Sequence, residues 1–331
     1  MKFGLFTYKD RNKKFNVGDY IQSLAARQYL PSVDMLIERD SLSLLKLKEE
    51  TAIIMNGWFT HHPENWPPVE LLRPLFVSFH LNSSHAAKVL NWEENVEYLK
   101  KYSPIGCRDI GTVKFLQEKG IDAYYSSCLT TTLDIDFSSQ EKREEVLIVD
   151  VLYQDDLIGQ CRESPRKILS NLKNGKILHL FDRQRVIKSI IPDHIIKKAN
   201  YVSHSYKNID YNQEERFILA ENLLKRYAKA KLVITSRIHC ALPCLALGTP
   251  VVFIIGGDLF RTSEISRLQG TIEHLNVIST KDISLDRKIS GKINLLNPEK
   301  LNWDNIQNPD GYLKYAEKLK SICFEFIKQN N

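Results

Sequence analysis

Between residues 231 and 255 the chain sets two short, continuously apolar runs on either side of one helix-length segment. Lys231-Leu-Val-Ile234 comes first, then Thr235-Ser-Arg-Ile-His-Cys-Ala-Leu242 and the turn Leu247-Gly-Thr-Pro250, then Val251-Val-Phe-Ile-Ile255. Runs without polar alternation suit strands buried on both faces. The segment between them suits the crossover helix that joins two parallel strands. Such a unit commits the chain to a parallel sheet covered by helices, with the residues after each strand gathered on one edge. Pro243 lies inside the segment, where proline removes a helical hydrogen bond and favours a kink or an early end.

The same alternation recurs along the chain. Strands are expected at Phe3–Tyr8, Val33–Ile37, Ala52–Met55, Leu75–Phe79, Ile105–Cys107 and Ala123–Tyr125, with helices at Asp19–Leu30 and Asp109–Lys119, the latter ended by Gly120. Asp134–Glu144 is polar and aperiodic and reads as a linker. Beyond it, strands are expected at Val146–Val151, Ile177–Leu180, Tyr201–His204, Leu232–Thr235, Val251–Ile255 and Asn276–Ile278. Helices are expected at Ser164–Leu172, Ile187–Lys198, Asn212–Ala230, Arg237–Leu247, Leu259–Gln269 and Tyr312–Lys328. The pattern predicts two doubly wound parallel-sheet, Rossmann-like domains facing a cleft. We expect an N-terminal domain over 1–138 and a C-terminal domain over 139–300. A closing helical segment over 301–331 is expected to return to the first domain.

Composition narrows the function classes. At 331 residues, with 43% hydrophobic and 26% charged residues, the chain is an ordinary globular protein of two-domain size. The net charge of +6 is spread from Lys2 to Lys328. It suits anionic substrates or peripheral contact with a membrane surface, and is too dispersed for nucleic acid. No apolar run approaches the ~20 residues of a membrane span. The first residues read as a strand rather than a signal peptide. Six cysteines are dispersed at 107, 128, 161, 240, 244 and 323, without zinc-ligand spacing. They read as free thiols of a cytoplasmic protein.

Residues just after strands are the candidates for chemistry. Ser236 is a natural N-cap, and Arg237 and His239 fall in the first helical turn, where backbone N–H groups lack partners. A cation and an imidazole beside such a terminus make a site for a phosphate or carboxylate undergoing proton transfer. Arg108, in Cys107-Arg-Asp109, has two open readings: an oxyanion clamp, or an ion pair with Asp109. Gly256-Gly257-Asp258 permits close approach to a ligand or forms a plain turn. Asn16-Val-Gly-Asp19 offers a glycine for close approach and Asp19 as a cap. Asn56-Gly-Trp58, with His61, His62 and Trp66 beyond, suits stacking on a sugar or packing of a loop on its domain. His80 either faces the cleft or is a satisfied structural histidine. No dinucleotide fingerprint, P-loop or metal site is visible.

These positions, in this order, resemble the polysaccharide pyruvyl transferase family. The carriers are Asn16-Val-Gly-Asp19, Ser103-Pro-Ile-Gly-Cys-Arg-Asp109 with Lys119-Gly-Ile121 after it, and above all Ser236-Arg-Ile-His239 followed by Gly248-Thr-Pro250. The resemblance implies a fold similar to two-domain GT-B glycosyltransferases. It also implies transfer of a pyruvate unit from phosphoenolpyruvate to two hydroxyls of a sugar, with release of phosphate and no cofactor.

By the same resemblance Arg237, His239 and Arg108 match donor-site residues, His239 being the expected general acid, charged near neutral pH beside an anion. Ser236, Gly256 and Gly257 are expected beside them. Asn16, Asp19, Asn56, Trp58 and His80 are expected to face a glycan acceptor, lipid-linked and met at the inner face of the membrane. The chain departs from the family's pattern at Asn56-Gly57, at Ser78–Ser83 and at Ser126-Ser-Cys128. Two other functions fit the same plan. One is a nucleotide-sugar glycosyltransferase gripping a ribose through Glu264, and the other is a glycan-binding protein without turnover.

Overall fold

The computed structural model describes residues 1–9, 14–59, 61–82, 86–163, 165–173, 181–256, 267–280 and 293–331. The N-terminal half holds strands β1 (Lys2–Thr7), β2 (Lys14–Asn16), β3 (Met35–Glu38), β4 (Thr51–Ile54), β5 (Gly57–Trp58), β6 (Leu72–Leu75), β7 (Phe79–His80), β8 (Ile105–Cys107) and β9 (Ala123–Tyr125). All but β2 form two parallel sheets, in the orders β3-β1-β4-β6 and β5-β7-β8-β9. The chain passes from the first sheet to the second twice, through Met55-Asn56 and through residues 76–78. The Met55 amide donates to the Leu75 carbonyl at 2.8 Å and the Gly57 amide to the Ser78 carbonyl at 3.2 Å, which stitches the two crossings together. Gly57 at φ 127° and Ser78 at φ 55° make the bend. The single strand expected at Leu75–Phe79 is therefore two strands split by this bend.

The C-terminal half holds β10 (Glu145–Val149), β11 (Ala199–Val202), β12 (Ser205–Lys207), β13 (Ala230–Thr235), β14 (Val251–Ile255), β15 (Asn276–Ser279) and β16 (Asn294–Leu295). Its six-stranded sheet has the order β11-β10-β13-β14-β15-β16, all parallel. Chain order reverses at β10, so a crevice opens beyond the carboxyl ends of β10 and β13. That is where open α/β sheets bind ligands. Alternate residues of these strands enter two apolar clusters: Leu147, Val149, Val233 and Phe253 in one, and Ile148, Ile234, Val252 and Ile254 in the other. Burial on both faces is the physical reason for the unbroken apolar runs. Each fully buried side chain of this kind contributes roughly 1.5–3 kcal/mol.

The two halves are held together in three ways. One apolar cluster runs continuously from Phe3 in β1 to Ile327 near the C-terminus. β2 pairs antiparallel with β12, joining the halves edge to edge, with Phe15 opposite Tyr206. The last helix, Leu313–Asn330, returns to the N-terminal half, where Phe324 meets Tyr29 edge to face at 5.0 Å and Lys320 pairs with Asp134 at 2.8 Å.

Other expectations are corrected by the structure. The helix expected at Ile187–Lys198 is two, Asp182–Ile190 and Asp193–Ile196, broken at Ile191-Pro192. Proline disfavours helical backbone in the residue before it. The expected strand Ile177–Leu180 and residues 259–266 of the expected helix Leu259–Gln269 lie outside the described residues. All six cysteines are free, and five are buried. No helix among the described residues is long and apolar enough to cross a membrane.

Candidate functional site

The crevice beyond β10 and β13 gathers Asp150, Ser236, Arg237 and His239. The helix Ile238–Ala246 starts one residue later than expected, so Arg237 occupies the N-cap position, at φ −101° and ψ 120°, and no side chain caps the helix. Ser236 is not the cap. Its hydroxyl donates to the Ile254 carbonyl at 2.6 Å and accepts from the Leu152 amide at 2.9 Å, tying β14 to the loop after β10. The backbone amides of Ile238 and His239 have no hydrogen-bond partner among the described residues. Two free donors at a helix start, beside the Arg237 guanidinium, suit an anion.

Arg237 is held in place. Its Nε donates to Asp150 Oδ2 at 2.8 Å, and its guanidinium carbon lies 3.4 Å from the centre of the Tyr153 ring. Its two Nη groups have no partner among the described residues. Burial pushes the Asp150 carboxyl up, but Arg237 and the His204 amide outweigh it and hold the group below the usual carboxylate range. Asp150 is therefore ionised.

Arg108 comes from the other half. It follows β8, is 6% exposed, and its Nη1 donates to His239 Nε2 at 3.3 Å. The alternative pairing with Asp109 is not made. Asp109 instead caps the helix Ile110–Gln117, accepting from the Thr112 amide at 2.9 Å, and takes a bond from His80 Nδ1 at 2.5 Å. Burial, and then Arg108, push His80 down to about 4 despite that carboxylate. His80 is thus a neutral, satisfied histidine. It stands beside Arg108, because Phe79 and Cys107 are register partners in β7 and β8.

Burial, followed by Arg108 and Arg267, pushes His239 well below the ordinary histidine value. Without an anion beside it His239 is therefore neutral; the charged imidazole is expected only once an anion is bound. Its Nε2 then carries the lone pair that accepts from Arg108.

The N-terminal helix Val17–Arg27 brings a further carboxylate. Asn16 caps it, its Oδ1 accepting from the Gly18 amide at 3.1 Å; Asp19 lies inside the first turn and does not cap. Burial raises the Asp19 carboxyl, while Arg39, Arg108 and Arg237 pull it down, which places Asp19 within electrostatic reach of both site arginines. A Cβ on Gly18 would stand 3.3 Å from His239 Cβ and 3.3 Å from His204 Nδ1. The close approach that this glycine permits is to the site histidine itself.

The remaining candidates fall differently. Asn56 is buried, and its Nδ2 donates to the Gln22 carbonyl at 2.8 Å. It therefore anchors its loop to the helix that carries Asp19. Trp58 leans on His61, ring centres 3.9 Å apart. Gly256 packs so tightly that an added Cβ would collide with the Thr280 side chain. Gly257, Asp258 and Glu264 lie outside the described residues. Among the described residues no group of three His, Cys, Asp or Glu side chains could hold a metal.

Asp150, Tyr153, His204 and Arg267 escaped the sequence reading. Asp150 alone carried a signal, as the residue directly after β10.

Comparison with known proteins adds a family match. A model of the polysaccharide pyruvyl transferase family matches residues 16–258, a span that includes Arg108, Arg237 and His239. No curated protein matches the chain. A solved structure of a functionally uncharacterised protein from Klebsiella pneumoniae subsp. pneumoniae NTUH-K2044 is 12% identical. It covers 80% of this chain and 87% of its own at a TM-score of 0.42, a likeness too loose to place any residue.

Proposed function

The chain belongs to the polysaccharide pyruvyl transferase family, and from that premise we propose that it moves a pyruvate unit from phosphoenolpyruvate onto two hydroxyls of a sugar in a glycan precursor. The observation that carries this reading is that Arg108, from the other half, reaches His239 in the first turn of the uncapped helix whose N-cap residue is Arg237. Phosphoenolpyruvate presents a carboxylate and a phosphate. Two guanidinium groups and two free amides suit that pair of anions.

Binding of a trianion offsets the burial and the Arg108 and Arg267 charges that keep His239 neutral. The imidazole then takes up a proton and delivers it to the methylene carbon as general acid. The central carbon becomes oxocarbenium-like and is attacked by one sugar hydroxyl. The second hydroxyl then displaces phosphate to close the ketal. Two hydroxyl protons are lost overall: one is made good at the new methyl group and the other on the departing phosphate. We assign the uptake of a hydroxyl proton to Asp19, whose affinity for one is raised by burial.

We place the work in the cytoplasm, where the buried thiols stay reduced, at the inner face of the membrane on a lipid-linked acceptor. No cofactor enters the scheme. The nucleotide-sugar alternative has no support, and its ribose-gripping candidate Glu264 lies outside the described residues.

The test is to incubate the protein with phosphoenolpyruvate and candidate glycans and follow phosphate and pyruvate ketal together. One phosphate per ketal is expected, with both lost in His239→Ala. Ketal formation at the wild-type rate in His239→Ala would overturn the assignment.

A further inference from the structure

Two of the three residues Asp150, Val151 and Leu152 have left-handed backbone, with φ of 46° at Asp150 and 50° at Leu152. Side chains other than glycine adopt that region at a cost, and such strain persists only where surrounding contacts impose it. Here the contacts are visible, and three of them converge on the start of one helix. Asp150 Oδ2 accepts from Arg237 Nε at 2.8 Å and from the His204 amide at 2.9 Å. The Leu152 amide donates to Ser236 Oγ at 2.9 Å. Tyr153 lies flat against the Arg237 guanidinium at 3.4 Å. The loop after β10 is thus fastened to Ser236-Arg237 at the point where strand order reverses.

We propose that Asp150 and Tyr153 are positioning residues, which lock Arg237 so that its two Nη groups face the donor's anionic group as a fixed fork. With Nε engaged and one face covered, the Nη edge is what remains for a ligand. That edge matches two oxygens of a carboxylate or phosphate in one plane. An arginine already ordered loses less freedom on binding. The ion pair is mostly buried, with side-chain exposures of 18% and 11%, so solvent does not loosen it. The fork requires only that the site binds an anion. The choice of phosphoenolpyruvate rests on the function proposed above.

The experiment is a double-mutant cycle on ligand binding. Calorimetric dissociation constants for phosphoenolpyruvate are measured for the wild type, Asp150→Asn, Arg237→Ala and the double variant. Asparagine keeps the shape and tolerates left-handed backbone, but removes the charge. Binding is expected to weaken at least tenfold in Asp150→Asn, with KM rising more than kcat falls. In the Arg237→Ala background Asp150→Asn should add nothing, because Asp150 acts through Arg237. Should Asp150→Asn fail to fold, Tyr153→Leu leaves the ion pair intact and is expected to weaken binding several-fold.

Wild-type affinity in Asp150→Asn, or equal losses with and without Arg237, would overturn the proposal. UDP-glucose and inorganic phosphate are titrated in parallel. If one of these binds the wild type and phosphoenolpyruvate does not, the donor assignment fails and the cycle is run with the anion that binds. If none binds, the fork fails as well.

Discussion

Arg108 Nη1 lies 3.3 Å from His239 Nε2, so the guanidinium of one half and the imidazole of the other meet directly at the crevice. A buried cation beside a histidine disfavours the charged imidazole, and here it acts together with burial and Arg267. The site therefore waits with a neutral histidine, and an arriving anion favours its taking up a proton.

Proton uptake on binding follows. The free protein's His239 titrates well below its ordinary value, and a bound trianion raises it. At neutral pH the complex should hold up to one more proton than its separated parts. Calorimetry in buffers of different ionisation enthalpy measures this directly. The heat should vary with the buffer in the wild type and cease to do so in His239→Asn. A buffer-independent heat in the wild type would contradict the role of His239 as acid.

Gly18 offers a steric test. The Cβ of Gly18→Ala would press on His239 Cβ and His204 Nδ1, each at 3.3 Å, and on Asn16 Oδ1 at 3.2 Å. The backbone there is helical, so alanine itself is tolerated, and the fold should stay within about 1 kcal/mol of wild type. Displacement of His239 by a few tenths of an ångström should nevertheless lower kcat about tenfold, because catalytic groups lose rate quickly when misplaced. Wild-type turnover in this variant would show that His239 has slack.

Acid should weaken the fold well before its carboxylates titrate. His80 and His274 are each pushed down to about 4, chiefly by burial, with Arg108 adding to the first and Lys314 to the second. In the unfolded chain both titrate near ~6.5. Between those values the unfolded state binds protons that the folded state refuses. Stability should therefore fall as pH drops from about 6.5 to about 4, by up to roughly 1.4 kcal/mol per pH unit for each histidine. Urea unfolding across that range measures the slope, and His274→Gln should flatten it. A slope unchanged by that variant would place the acid sensitivity elsewhere.

The βαβ unit at 231–255 was legible because both faces of its strands are buried, which leaves an apolar run that nothing else explains. Ile105–Cys107, Ala123–Tyr125 and Val251–Ile255 stand where the apolar pattern puts them. β2 and β12 were not legible, because three residues carry no period and each strand exists only through the other. Arg237 and His239 were found as residues following a strand. The neutral state of His239 in the free protein was not, since it depends on burial and on Arg108, 131 positions away. Asp150 was missed for the same reason, because its meaning comes from Arg237, 87 positions away. Gly18 was legible as a point of close approach, though not as one made to the site histidine.

The central claim is that this crevice binds phosphoenolpyruvate. Thermal unfolding with phosphoenolpyruvate and with a panel of nucleotide sugars tests it most directly, since a ligand that binds the folded state raises the melting temperature by mass action. Phosphoenolpyruvate should stabilise the wild type, and the effect should vanish in Arg108→Ala and Arg237→Ala. Stabilisation by nucleotide sugars alone would contradict the account.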